Sequence, residues 1–164
     1  MPEQLVISNA SPLINLAIIG QLDLLKQFFT EIHITQAVWK ETVIDGKGKT
    51  GASEIKNVKW IKVVKIEETP LLQLLRKDLD AGEAEAIAYA LQRKNPLVLL
   101  DEEDAREIAD FYGIDKTGTI GILIRAKLEG KIFLLKPVLD ELRNKAGFWI
   151  KESLFQDALR AVGE

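Results

Sequence analysis

The chain has 164 residues, 47% of them hydrophobic and 29% charged, and a formal net charge of −3. That length suits one domain, residues 1–164, burying roughly 70% of the surface its extended form exposes, and the mixed charge sets up no global field that draws in a polyanion. Cysteine is absent, which excludes disulfides and thiolate metal sites, and no apolar run reaches the roughly 18 residues of a membrane span, so the reading is a soluble, cytoplasmic protein.

Leu5-Val6-Ile7 reads as a short strand, and Ser8-Asn9-Ala10-Ser11-Pro12 turns the chain into a helix with proline near its first position, which presents Asn9 at a strand's carboxyl end. Leu13 to Ile18 continues that helix up to Gly20, Leu22 to Phe29 forms a second one, and Ile32-His33-Ile34 is another brief strand. Thr35 caps a helix that carries Glu41 about two turns in. Asp45 to Gly51, rich in glycine and lysine, reads as a mobile loop; it lacks the spacing of a phosphate-binding P-loop. Trp60 to Ile66 alternates apolar residues with lysine, as an edge strand does, and Leu71 to Leu79 is helical.

Asp80 then caps a helix whose buried stripe is Ala84, Ile87, Ala88 and Leu91, with Glu83 and Glu85 flanking that stripe on opposite sides. Leu97 to Leu100 is fully apolar, the pattern of a strand covered on both faces, and it ends on Asp101-Glu102-Glu103-Asp104. Helices follow at Ala105 to Tyr112, at Ile120 to Leu128 behind Thr117-Gly118-Thr119, from Pro137, and over Phe148 to Val162; Ile132 to Leu135 is a strand or a turn. Strands separated by helical crossovers indicate an α/β fold, and ligands of such sheets bind beyond the carboxyl ends of the strands. Asn9 and Asp101 both stand there. Crowded carboxylates raise one another's pKa or recruit a cation, so a metal site on oxygen ligands is the chemistry to look for.

Val6-Ile7-Ser8-Asn9-Ala10-Ser11-Pro12-Leu13-Ile14, Gly82-Glu83-Ala84-Glu85-Ala86-Ile87-Ala88, Leu99-Leu100-Asp101 and Thr117-Gly118-Thr119-Ile120-Gly121 together resemble the PIN-domain nucleases, in particular a prokaryotic PIN-like subgroup related to toxin ribonucleases. The resemblance implies a three-layer α/β sandwich around a mostly parallel central sheet, Mg²⁺ or Mn²⁺ in an acidic pocket, and hydrolysis of RNA. It further implies an antitoxin protein as partner and a homodimer. Carried over by position, the family's acids correspond to Asn9, Glu41, either Glu83 or Glu85, and Asp101. Asn9 departs from the family pattern, which has Asp there. One formal charge is lost, which lowers cation affinity and opens a second reading, a degenerate PIN module that binds RNA or a protein partner without cleaving. A receiver-like signalling domain is a third reading, weakened because paired acids do not follow the first strand.

Structural roles compete for the same residues. Glu83 also completes a capping box with Asp80, Glu102 to Asp104 also supply the first-turn acids of the next helix, and Thr117 and Thr119 also cap one. Lys47, Lys49, Lys56, Lys59, Lys62 and Lys65 form a locally basic region that reads first as a solvated face and second as an RNA contact.

Overall fold

The structure, a computed structural model, describes residues 4–164. Its centre is a five-stranded sheet made of β1 (Leu5–Ser8), β2 (Ile32–Thr35), β3 (Ile61–Val64), β4 (Pro96–Leu99) and β5 (Asp115–Thr117). The strands lie in the order β3-β2-β1-β4-β5, and every pairing is parallel. The expected mostly parallel sheet is therefore wholly parallel. Strand order reverses between β1 and β4, where Val6 faces Leu97 and Ile7 faces Val98 across the ladder. That reversal opens a crevice at the strands' carboxyl ends.

Alternation along the strands divides the core. Val6, Ile32, Ile34 and Leu99 join one apolar cluster, packed with α1 (Ala10–Ile18), α2 (Asp23–Phe29), α8 (Thr119–Leu128), α9 (Leu135–Asn144) and α10 (Glu152–Ala161). Ile7, Val98 and Leu100 join the other, packed with α5 (Pro70–Leu75), α6 (Ala81–Leu91) and α7 (Glu103–Phe111). Because the side-chain period of a strand is two, a run such as Leu97–Leu100 feeds both faces. The result is the three-layer α/β sandwich.

Several elements differ from the sequence reading. β5 is a strand of Asp115, Lys116 and Thr117, a sequence with no apolar residue to signal it; it is fixed by backbone pairing to Leu97–Leu99. A helix, α4 (Ala52–Asn57), follows the glycine- and lysine-rich turns, anchored by buried Ala52 and Ile55. Residues 132–134 form no strand, and Leu135 already begins α9. Trp39 and Trp60 pack against the core, whereas Trp149 is 80% exposed. Among the described residues no helix is long and apolar enough to cross a membrane.

Candidate functional site: an acidic crevice at the strand ends

Asn9 follows β1 directly and caps α1 through its extended backbone. Its N–H donates to the Leu99 carbonyl oxygen at 3.0 Å, tying the end of β1 to the end of β4. The side chain is 3% exposed, yet its Oδ1 accepts no hydrogen bond. A buried carbonyl oxygen left without a donor costs about 1–3 kcal/mol, so an orphan here calls for a ligand or for a price met by the rest of the fold.

Glu41 approaches the same spot from a different element. α3 (Gln36–Trp39), whose first turn is capped by Thr35 Oγ1 accepting from the Val38 N–H at 3.5 Å, runs into a π-helical turn over Lys40–Ile44. The wider π turn carries Glu41, and such turns cluster at functional sites. Glu41 Oε1 and Asn9 Oδ1 stand 3.1 and 3.2 Å from the point where a Cβ on Gly82 would lie. Glycine at this position, in the first turn of α6, leaves the space between the two oxygens open.

Glu83, one residue on, is both a cap and a pocket residue. Its N–H donates to Asp80 Oδ1 at 2.8 Å, and its Oε1 accepts from the Asp80 N–H at 3.1 Å, the two arms of a capping box. Asn9, Ser11, Glu41, Asp80, Glu83 and Glu102 to Asp104 line a cavity of about 380 Å³. Ser11 Oγ donates to Glu102 Oε1 at 3.3 Å. The electrostatics are those of crowded anions. Burial lifts the Glu41 carboxyl above its usual range, and the charges of Asp80, Asp45 and Glu102 lift it further. Burial likewise pushes Glu83 up to about 7; the Asp80 N–H pulls it down, and the charges of Asp80 and Glu102 push it up again.

Two sequence candidates are placed elsewhere. Glu85 lines a separate pocket with Lys65, Glu68 and Arg76, where its Oε1 accepts from the Ala37 N–H at 3.1 Å and its Oε2 lies 3.8 Å from Arg76 Nη2. Two residues along a helix are about 200° apart round its axis, so Glu83 and Glu85 face opposite ways, and α3 sits on the Glu85 side. Of the two alternatives, Glu83 lines the crevice and Glu85 lines the other pocket. The Asp101 carboxylate is not part of the cavity lining. It accepts from the Thr119 N–H and the Thr119 hydroxyl, both at 2.7 Å, and from Asn15 Nδ2 at 3.4 Å. The acids that follow β4 and do line the crevice are Glu102, Glu103 and Asp104.

A divalent cation fits this donor set. Hard cations take carboxylate and amide oxygens, and the buried, donorless Asn9 Oδ1 beside Glu41 Oε1 is such a pair. Among the described residues no three Asp, Glu, His or Cys side chains are drawn together closely enough to hold a metal on their own; the convergent pair includes an amide. Gly82→Ala should put a methyl group between those two oxygens. The expected result is Mn²⁺ affinity weakened by about tenfold or more with an unchanged circular dichroism spectrum, read by calorimetric titration.

A wholly parallel α/β sheet of this order places its ligand crevice at the switch point, where these acids stand. Residues 5–164 match the family model described as PIN domain, and the chain belongs to that family, whose function is of the nuclease type. No curated protein matches the chain.

Proposed function

We propose that this PIN-domain protein is a divalent-metal-dependent endoribonuclease of the toxin-like kind, with Mg²⁺ or Mn²⁺ in the crevice. The observation that carries the reading is the approach of the buried, donorless Asn9 Oδ1 and Glu41 Oε1 to the same open space over Gly82. Asn9 and Glu41 would hold the cation, with Glu83 and Glu102 on the same cavity wall reaching it directly or through water; bound there, it would supply Lewis-acid polarisation of a phosphodiester and a water of lowered pKa. The chain's own part is to bring those side chains from the end of β1, the π turn, α6 and the β4–α7 turn to one cavity wall. The Glu83 carboxyl, pushed up to about 7, is a group able to hold a proton near neutral pH, and burial raises the Glu41 carboxyl in the same direction. An antitoxin partner, a homodimer and a cytoplasmic location complete this reading.

The second reading, a module that binds RNA or a protein without cleaving it, is favoured by the neutral amide at Asn9, which leaves the cradle one charge short. Incubation of mixed RNA with Mn²⁺, comparing the wild type with Glu41→Ala and Glu102→Ala, separates the two. The first reading expects chelator-sensitive cleavage that falls by at least about tenfold in both variants. Cleavage that persists undiminished in the variants overturns it, and RNA retention without cleavage by the wild type favours the second.

A further inference from the structure

We infer that Asp101 is a positioning residue: its carboxylate pins the β4–α7 turn to α8 and α1, and so aims the neighbouring Glu102 into the crevice. This deepens, and rests on, the reading of that crevice as a cation site.

The geometry is that of a filled socket. Asp101 Oδ1 accepts the Thr119 N–H, and Oδ2 accepts the Thr119 hydroxyl and the Asn15 amide. Thr119 is fully buried and is the first residue of α8, so the carboxylate also meets the positive end of that helix. Gly118 leaves the way clear: a Cβ there would stand 2.8 Å from Asp101 Oδ1 and 3.0 Å from the Leu100 carbonyl oxygen. The same Leu100 oxygen accepts from Arg106 Nη1 at 2.8 Å, and the Leu100 N–H donates to Thr117 at 2.9 Å. Leu100, at the strand end, is thereby held through both its N–H and its carbonyl oxygen.

α1 sorts the two adjacent acids. Ser11 and Asn15 are four residues apart and share one helix face; Asn15 bonds Asp101, and Ser11 bonds Glu102. One acid is taken up by three donors, and its neighbour is left half-free on the cavity wall. A metal ligand needs lone pairs that are not already committed, and Glu102 has them.

Asparagine at 101 keeps the socket. Its carbonyl accepts the Thr119 N–H, its amide donates to the Thr119 hydroxyl, which also accepts, and the Asn15 amide flips to present oxygen. Alanine empties it. In calorimetric titration with Mn²⁺ alone, Asp101→Asn should keep the wild-type affinity within about twofold, while Asp101→Ala and Glu102→Ala should each lose about tenfold or more. If Asp101→Asn loses as much as Glu102→Ala, the Asp101 charge faces the cation and the proposal is overturned. A second readout needs no metal. The Arg106 N–H, bonded to the Glu102 carbonyl at 3.1 Å, closes the first turn of α7. Its hydrogen exchange in metal-free protein should accelerate in Asp101→Ala and stay native-like in Asp101→Asn. Unchanged exchange in Asp101→Ala overturns the proposal, whether or not the wild type binds Mn²⁺; absence of Mn²⁺ binding by the wild type, with the exchange pattern as expected, overturns the cation reading alone.

Discussion

Asn9→Asp should lower stability in the absence of Mn²⁺ and gain more from its addition than the wild type does. The replacement is nearly isosteric, and the backbone of residue 9 is held independently of its side chain by the bond to Leu99 and by Ser8 Oγ, which donates to the Asn9 carbonyl at 2.8 Å. Position is therefore preserved, and the change is one of charge. In metal-free protein a carboxylate takes the place of an oxygen that already has no donor, beside Glu41 Oε1. Two unit charges at 4 Å repel by about 4 kcal/mol at an effective dielectric of 20, part of which is relieved by protonation, so a loss of roughly 1–3 kcal/mol at pH 8 is expected. A bound dication reverses the sign of that interaction. Mn²⁺ affinity should rise by at least about tenfold, and in thermal melts saturating Mn²⁺ should therefore stabilise the variant by about 1.4 kcal/mol more than it stabilises the wild type. Calorimetry showing equal Mn²⁺ affinity for the two proteins removes Asn9 from the site.

The parts of this molecule that the sequence discloses are those where burial leaves a period. Val6 and Ile7, or Leu97 to Leu100, advertise strands because both sheet faces are covered, and Asp80 with Glu83 advertises the start of α6 because a capping box is local. β5 advertises nothing: Asp115–Thr117 is an edge strand of three polar residues, and only pairing with β4 makes it a strand. The π turn at Lys40–Ile44 is equally silent, although it carries Glu41.

Within the site, strand ends point to residues 9 and 101–102, but neighbours at a strand end face opposite ways. Which of Asp101 and Glu102 meets solvent depends on where Thr119 and Asn15 arrive, from α8 and α1. Similarly, Glu83 and Glu85 are distinguishable only once α3 is known to lie against Glu85. Long-range packing, not local pattern, made those choices.

Glu83 should dominate the pH dependence of the metal-free protein. The residue is 6% exposed, and its carboxyl is pushed from 4.5 up to about 7, first by burial and then by the charges of Asp80 and Glu102, against the pull of the Asp80 N–H. The folded protein thus keeps a proton that the unfolded chain gives up near its ordinary value. Between about pH 4.5 and 7 the native state binds more protons than the unfolded one, and stability falls as pH rises through that window. At about 1.36 kcal/mol per unit the full loss is at most about 3–4 kcal/mol. Glu83→Gln keeps both arms of the capping box and has no proton to lose. In chelator, its melts should match the wild type near pH 4.5 and exceed it by roughly 1–3 kcal/mol at pH 8. Glu41 and Asp101, also raised chiefly by burial, contribute slopes of the same sign to both proteins, so the difference between the two curves isolates Glu83. Mn²⁺ closes the cycle, because a cation displaces the proton: wild-type affinity should climb with pH up to about 7, and that of Glu83→Gln should be weaker and flatter. Parallel stability profiles for the two proteins across this range would mean that the carboxyl of Glu83 is already ionised in the crevice, and that crowding there is too weak to call for a cation.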